Sequence, residues 1–333
     1  MGKLADHELK KLLDCIKKDP RVIYPPAPGF DSGVHTLGNR YVVISTDPCI
    51  GVPRNWFGWL LVNYAASDVA LFGAKPEFCT INLLGPPKTR LQTFVEVMKQ
   101  TCHAADELEM SIVTGHTGTY RKMSALVGVC TAYGTVDKEK LITPSGARVG
   151  DEIFCIKDVG LEVIVNFALT RKRLASKFLG VQQIRELSKL VYKQSCVNEA
   201  LLLAKIGGVH AMHDVTEGGL TAALNEMAEA SKVGFEIHYD RIPIASELID
   251  LQKHFQLSDR ELLSTSSTGT ILAAVSHEAR REAEYALRQN KVDVSVLGHF
   301  TENRERYLLG KSMKRPFPTK AEDPYERILS GKV

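Results

Sequence analysis

Apolar residues along this chain come in two periods, and the alternation between them predicts most of the first half. The runs YVVIST (41–46), FCTINLLG (78–85), SIVTGHTG (111–118) and ALVGVCTAYGTV (125–136) have the length and β-branched content of strands, the third entering a glycine turn. GWLLVNYAASDVALFG (58–73) and LQTFVEVMKQTCHAADELE (91–109) have helical spacing, and Gly73 and Pro76 stop the first. An opening helix over about 4–18 ends before Pro20, and YPPAPGFDSG continues as an extended loop.

The segment LITPSGARVGDEIFCI interrupts the pattern with Thr-Pro-Ser-Gly and Val-Gly-Asp before a new strand, which places a domain boundary near residue 147. Beyond it the spacing predicts helices over about 183–206, 219–232 and 277–290, and strands at GTILAAV (269–275) and near DVSVLGHF. After residue 310 the chain is basic and proline-containing and reads as a peripheral tail. The expected division is therefore 1–147, 148–310 and a tail at 311–333, and 333 residues suit two cores better than one.

Composition narrows the function classes. With 42 basic against 39 acidic residues the net charge is +3, so no one-signed field points to nucleic acid. The basic clusters Arg171-Lys172-Arg173 and Lys311 to Arg315 lack interleaved aromatics and read as solvated faces. Seven cysteines, odd in number, scattered and without a C-x-x-C pair, read as thiols of a reducing cytoplasm. No apolar run is long enough to span a membrane, and neither common nucleotide-loop signature occurs.

The most informative stretch is HDVTEGGL (213–220). Asp214 offers a hard oxygen ligand and Thr216 a hydroxyl. Gly218 and Gly219 remove the Cβ atoms that would keep a polyphosphate from the N-terminus of the next helix. Three further acids stand where a solvated face does not explain them: Asp31 in GFDSG, Asp47 at a strand end, and Asp68 inside an apolar helix, with Asn63 about 140° around it. Asp68 on a solvent-facing side of that helix is the simpler alternative.

Taken together, Asp47, NYAASDVALFGAKP (63–76), Gly115-His116-Thr117, Asp214 to Leu220 and STGTIL (267–272) resemble the aminoimidazole ribonucleotide synthetase (PurM-like) superfamily over residues 29 to about 300. The spacing is most similar to its hydrogenase-maturation, AIR synthase-related branch. The resemblance implies an α+β fold of two domains. The N-terminal one binds ATP and pairs strands across a dimer axis into a β-barrel, and the C-terminal one is an α/β sandwich. It implies phosphoryl transfer from Mg-ATP to a carbonyl, amide or phosphate oxygen of a small-molecule acceptor, with release of ADP. Asp31, Asp47, Asp68 and Asp214 are the implied magnesium ligands, and Asn63, Gly115, Thr117, Thr216, Gly218 and Gly219 lie around the ATP. His116 stands where the family commonly has an acid, and with Asp68 is assigned to catalysis. The last cysteine is Cys196, so a substrate carried on a C-terminal cysteine is not expected. The expected assembly is a cytoplasmic homodimer that a maturation-partner protein could serve. A thiamine-monophosphate kinase-like enzyme and a non-catalytic nucleotide-binding scaffold are the alternatives.

Overall fold

A computed structural model describes residues 4, 6–177, 179–310 and 313–331; Lys311 of the second basic cluster lies outside them. The chain divides into two compact units, Leu13–Leu141 and a second that begins at Ile142 and takes in the N-terminal residues up to Leu12.

The first unit is one six-stranded sheet with helices on one face. Its strands are β1 (Val22–Tyr24), β2 (Ser32–Leu37), β3 (Arg40–Cys49), β4 (Phe78–Gly85), β5 (Ser111–Thr119) and β6 (Val127–Asp137), in the order β1-β2-β3-β6-β4-β5. Only the β4–β5 pair is parallel. The opening helix, α1 (Asp6–Leu13), which up to Leu12 belongs to the second unit, is shorter than its pattern predicts; Leu12 and Ile16 are exposed, so further turns would bury little apolar surface. Helix α2 (Phe57–Leu71) packs on β3 and β6, and α3 (Leu91–Glu107) packs on α2. Every residue of α2 except Tyr64 is buried, which accounts for its nearly continuous apolar sequence. The alternation of β6, buried at every second position, records that one face is covered and the other is open. On the open face Ile44 and Phe78 are exposed, and Phe78 stacks on Tyr133.

The second unit is built on a seven-stranded sheet. Its elements are β7 (Glu152–Ile156), α4 (Leu161–Thr170), α5 (Lys172–Ala175), α6 (Val181–Lys189), α7 (Val197–Leu203), β8 (Val209–Asp214), α8 (Gly219–Ser231), β9 (Gly234–His238), α9 (Ser246–Phe255) and α10 (Asp259–Leu263). They are followed by β10 (Ile271–Val275), α11 (Arg280–Gln289), β11 (Val294–Thr301), β12 (Arg306–Leu309), β13 (Lys314–Pro316) and α12 (Tyr325–Ser330), and the strand order is β13-β12-β9-β11-β7-β10-β8. β10, paired on both sides by β7 and β8, is buried at every position, as an unbroken ILAAV run requires.

Two expectations fail here for identifiable reasons. The single helix expected over 183–206 is broken, because the buried Lys157 ammonium takes the carbonyls of Lys193 (3.1 Å) and Ser195 (2.6 Å) and pairs with Glu199 at 2.8 Å. Those carbonyls are lost to helical bonding. The described residues after 310 do not form a peripheral tail: Phe317 and Ile328 are buried in the core with Phe235 and Phe167. Among the described residues no helix is long and apolar enough to cross a membrane.

Candidate functional site

In the N-terminal unit the acid buried in a helix is where the chemistry concentrates. Asp68 is 3% exposed on α2, which excludes a solvent-facing role, and Ser45 of β3 donates its hydroxyl to Asp68 Oδ2 at 2.7 Å. Asp47 lies two residues along β3 from Ser45 and therefore on the same, helix-covered face. Asn63 is also buried; its amide donates to Trp59 O at 3.0 Å within the helix. Asp31 is half-buried at the entrance to β2. A carboxylate, a hydroxyl and a second carboxylate thus share one face, and every donor among them is a hard oxygen. That chemistry fits magnesium, which takes oxygen ligands and keeps several waters. A carboxylate left ionised and uncompensated in such surroundings costs several kcal/mol.

The GHT motif is arranged differently from the expected glycine turn. Gly115, His116 and Thr117 are all strand residues in β5, the edge of the sheet. A Cβ at Gly115 would lie 2.1 Å from Ile81 O, so this glycine permits close pairing of β4 and β5. The register runs Asp47, Cys130, Ile81, Gly115 across the sheet, so Gly115 and Thr117 share the face of Asp47, about 14 Å away over three strand spacings. His116 points to the opposite, open face, where its Nε2 lies 2.6 Å from the Tyr120 hydroxyl. Within this unit His116 is not brought to Asp47 or Asp68.

In the C-terminal unit Asp214 ends β8 and is 4% exposed. The turn after it is pinned by Gly219 N–H to Thr216 O (2.9 Å) and by Ser267 N–H to Val215 O (2.8 Å), so HDVTEGGL and STGTIL form one structure. Gly218 and Gly219 both have positive φ, +82° and +57°. Their missing Cβ atoms serve packing as well as any ligand: a Cβ at Gly219 would lie 2.6 Å from Ser264 C, and one at Gly218 would lie 2.9 Å from Ala321 Cβ. The Gly218 N–H already has an acceptor, Asp323 Oδ2 at 3.0 Å, and Asn225 of α8 donates to Pro318 O at 2.8 Å. The segment from Pro318 to Asp323 therefore lies across the N-terminus of α8.

Two acids here escaped the sequence reading. Glu162 is buried in α4 and accepts from the hydroxyls of Ser266 and Thr268, each at 2.6 Å. Burial pushes its carboxyl above the usual range, and the two hydroxyls act in the opposite direction. Burial likewise raises Asp323, against the backbone N–H groups of Gly218 and Tyr325. The signal that marked Asp68, an acid inside an apolar helical run, is equally present at Glu162 in LEVIVNFALT. Asp323 carries no local signal.

A buried helix acid beneath one sheet and a glycine turn opening a helix on another define a two-domain chain of mixed α and β structure. It belongs to the AIR synthase related protein family: the N-terminal domain of that family matches residues 29–136 and the C-terminal domain residues 148–310. It is 26% identical over 285 residues to a putative hydrogenase expression/formation protein of Methanocaldococcus jannaschii, covering 84% of this chain and 82% of that one. To the carbamoyl dehydratase HypE of Cupriavidus necator it is 30% identical over 246 residues, 69% of this chain and 67% of the other. Its fold is similar to that of E. coli HypE (TM-score 0.74, 23% identity, 86% and 88% covered). It is also similar to a HypE solved in complex with ATP (0.68, 19%, 85% and 86%) and to thiamine monophosphate kinase of Aquifex aeolicus (0.70, 17%, 93% and 96%).

Proposed function

We propose that this protein is an enzyme that binds Mg-ATP and transfers a phosphoryl group to a carbonyl, amide or phosphate oxygen of a small molecule, releasing ADP. The observation that carries the reading is Asp68, a carboxylate buried in an apolar helix, held by Ser45 on the face it shares with Asp47. In this reading Asp31, Asp47, Asp68 and Asp214 would hold magnesium, which would neutralise phosphate charge; phosphoryl transfer asks mainly for that and for positioning. Asn63, Thr117 and Thr216 would supply polar contacts around the nucleotide, while Gly218 and Gly219 keep side chains away from the start of α8. The ATP complex and the thiamine monophosphate kinase among the structural neighbours support the nucleotide and the reaction class.

The open face of the first sheet, with exposed Ile44 and Phe78 and a β5 edge lying free, supports a homodimer in which strands of two copies close a barrel. Seven scattered cysteines without a C-x-x-C pair support a cytoplasmic location. A protein partner that delivers the acceptor is a second reading, favoured by the solved HypE–HypF complex, whose fold is similar (TM-score 0.73, 17% identity).

The test is magnesium-dependent formation of ADP by the purified protein, with and without extracts of small metabolites. Asp68→Asn should abolish it while the melting transition persists. Unchanged ATP affinity and turnover in that variant would remove the site.

A further inference from the structure

The residue before Asp214 is built into the strand end in an unusual way. Successive side chains of a strand point to opposite faces, so His213 and Asp214 would normally diverge. Here the His213 ring, 2% exposed, has Nδ1 2.8 Å from the Asp214 carbonyl oxygen and 3.2 Å from Asp214 Oδ1. Both contacts belong to one residue, so the ring sets the direction of the Asp214 carboxylate relative to its own backbone. On its far side Nε2 lies 3.0 Å from Glu226 Oε2, an ion-pair distance without hydrogen-bond alignment. Glu226 sits two turns into α8, so the ring braces the end of β8 against the helix that follows the glycine turn.

We propose that His213, with Glu226 behind it, is a positioning residue that holds Asp214 in the orientation needed to ligate magnesium. The proposal rests on the reading that Asp214 is a ligand. Ligating carboxylates depend on the groups that orient them, and removing such a group typically weakens metal binding tenfold to a hundredfold, by about those factors.

The experiment measures the magnesium concentration that gives half-maximal ATP binding, by calorimetry, for wild type, Asp214→Asn, His213→Ala, His213→Asn and Glu226→Ala. Melting temperatures are recorded in parallel without nucleotide. Asp214→Asn should raise the magnesium requirement strongly, which establishes the ligand. His213→Ala should raise it about tenfold or more, with ATP affinity at saturating magnesium changed far less. His213→Asn, whose amide nitrogen can stand near the Nδ1 position, should recover most of the loss even if its melting temperature is as low as that of the alanine variant. Glu226→Ala should give a smaller rise. If Asp214→Asn shifts the requirement and His213→Ala does not, the proposal is wrong while the ligand stands. If asparagine is no better than alanine, the ring only fills space and the proposal is again wrong. If Asp214→Asn itself has no effect, Asp214 is not a ligand, and both readings fall together.

Discussion

Gly218 at the start of α8 and Asp323, more than a hundred residues later, are joined by a hydrogen bond of 3.0 Å from backbone N–H to carboxylate. A carboxylate on the first N–H groups of a helix is a favourable cap, and it is also the kind of contact a phosphate would make there. Asp323→Ala should cost about 1 kcal/mol of unfolding free energy, the usual magnitude for a lost helix cap, read by urea denaturation. It should not weaken ATP binding. A loss of ATP affinity in this variant would mean that the segment over the helix builds the nucleotide site.

Glu162 gives the C-terminal unit a pH dependence of predictable sign. Its carboxyl is raised above 4.5 in the folded chain, mainly by burial. A folded value above the unfolded one means that the protonated form is favoured by folding. This contribution is therefore fully present below about 4.5 and is lost as pH rises through the higher folded value. Glu162→Gln should flatten that part of the stability profile, seen as a smaller change in melting temperature on going from acid to neutral pH. An unchanged slope would assign it to Asp158 or Asp323, both also raised by burial.

Gly115→Ala tests whether this glycine serves the sheet. The added methyl would sit 2.1 Å from Ile81 O, so β4 and β5 must separate, and a loss of stability of about 3 kcal/mol is expected, as for other overpacked sites. Thermal denaturation measures it. A stable variant that had lost only nucleotide binding would return Gly115 to the ligand.

The open face of the first sheet yields a paired prediction. Ile44→Asp, on that face, should convert a dimer into a monomer of 36.8 kDa in light scattering. Wild type that is already monomeric at micromolar concentration would rule out the dimer. His116 lies on the same face, opposite Asp47 and Asp68, so His116→Ala should change turnover by less than about tenfold, well short of the 10²–10⁴ expected of a general acid or base. A hundredfold loss would show that His116 works in a site it shares with another copy.

Much of the architecture was legible in the residues. FCTINLLG became β4 over the same residues, GWLLVNYAASDVALFG became α2 starting one residue earlier and ending two residues sooner, and the residue spacing that resembled one superfamily matched its two domains. Local periodicity carries these elements because each buries a face of its own. Asp68 announced itself because an acid in an apolar helix conflicts with its surroundings wherever the helix lies. What tertiary structure alone decided were the relations between distant segments. The face to which His116 points depends on the pairing register of β4 and β5, and a shift of one residue would reverse it. The break near Lys193 depends on a lysine some thirty-six residues earlier, as the contact Lys157 to Lys193 spans. Phe317, Ile328 and Asp323 sit in a stretch that is locally polar and proline-containing, and only the unit they fold against makes them core and cap. Local sequence fixes which residues must be buried or bonded; their partners are chosen by the fold, since burial and hydrogen bonding are satisfied in space rather than along the chain.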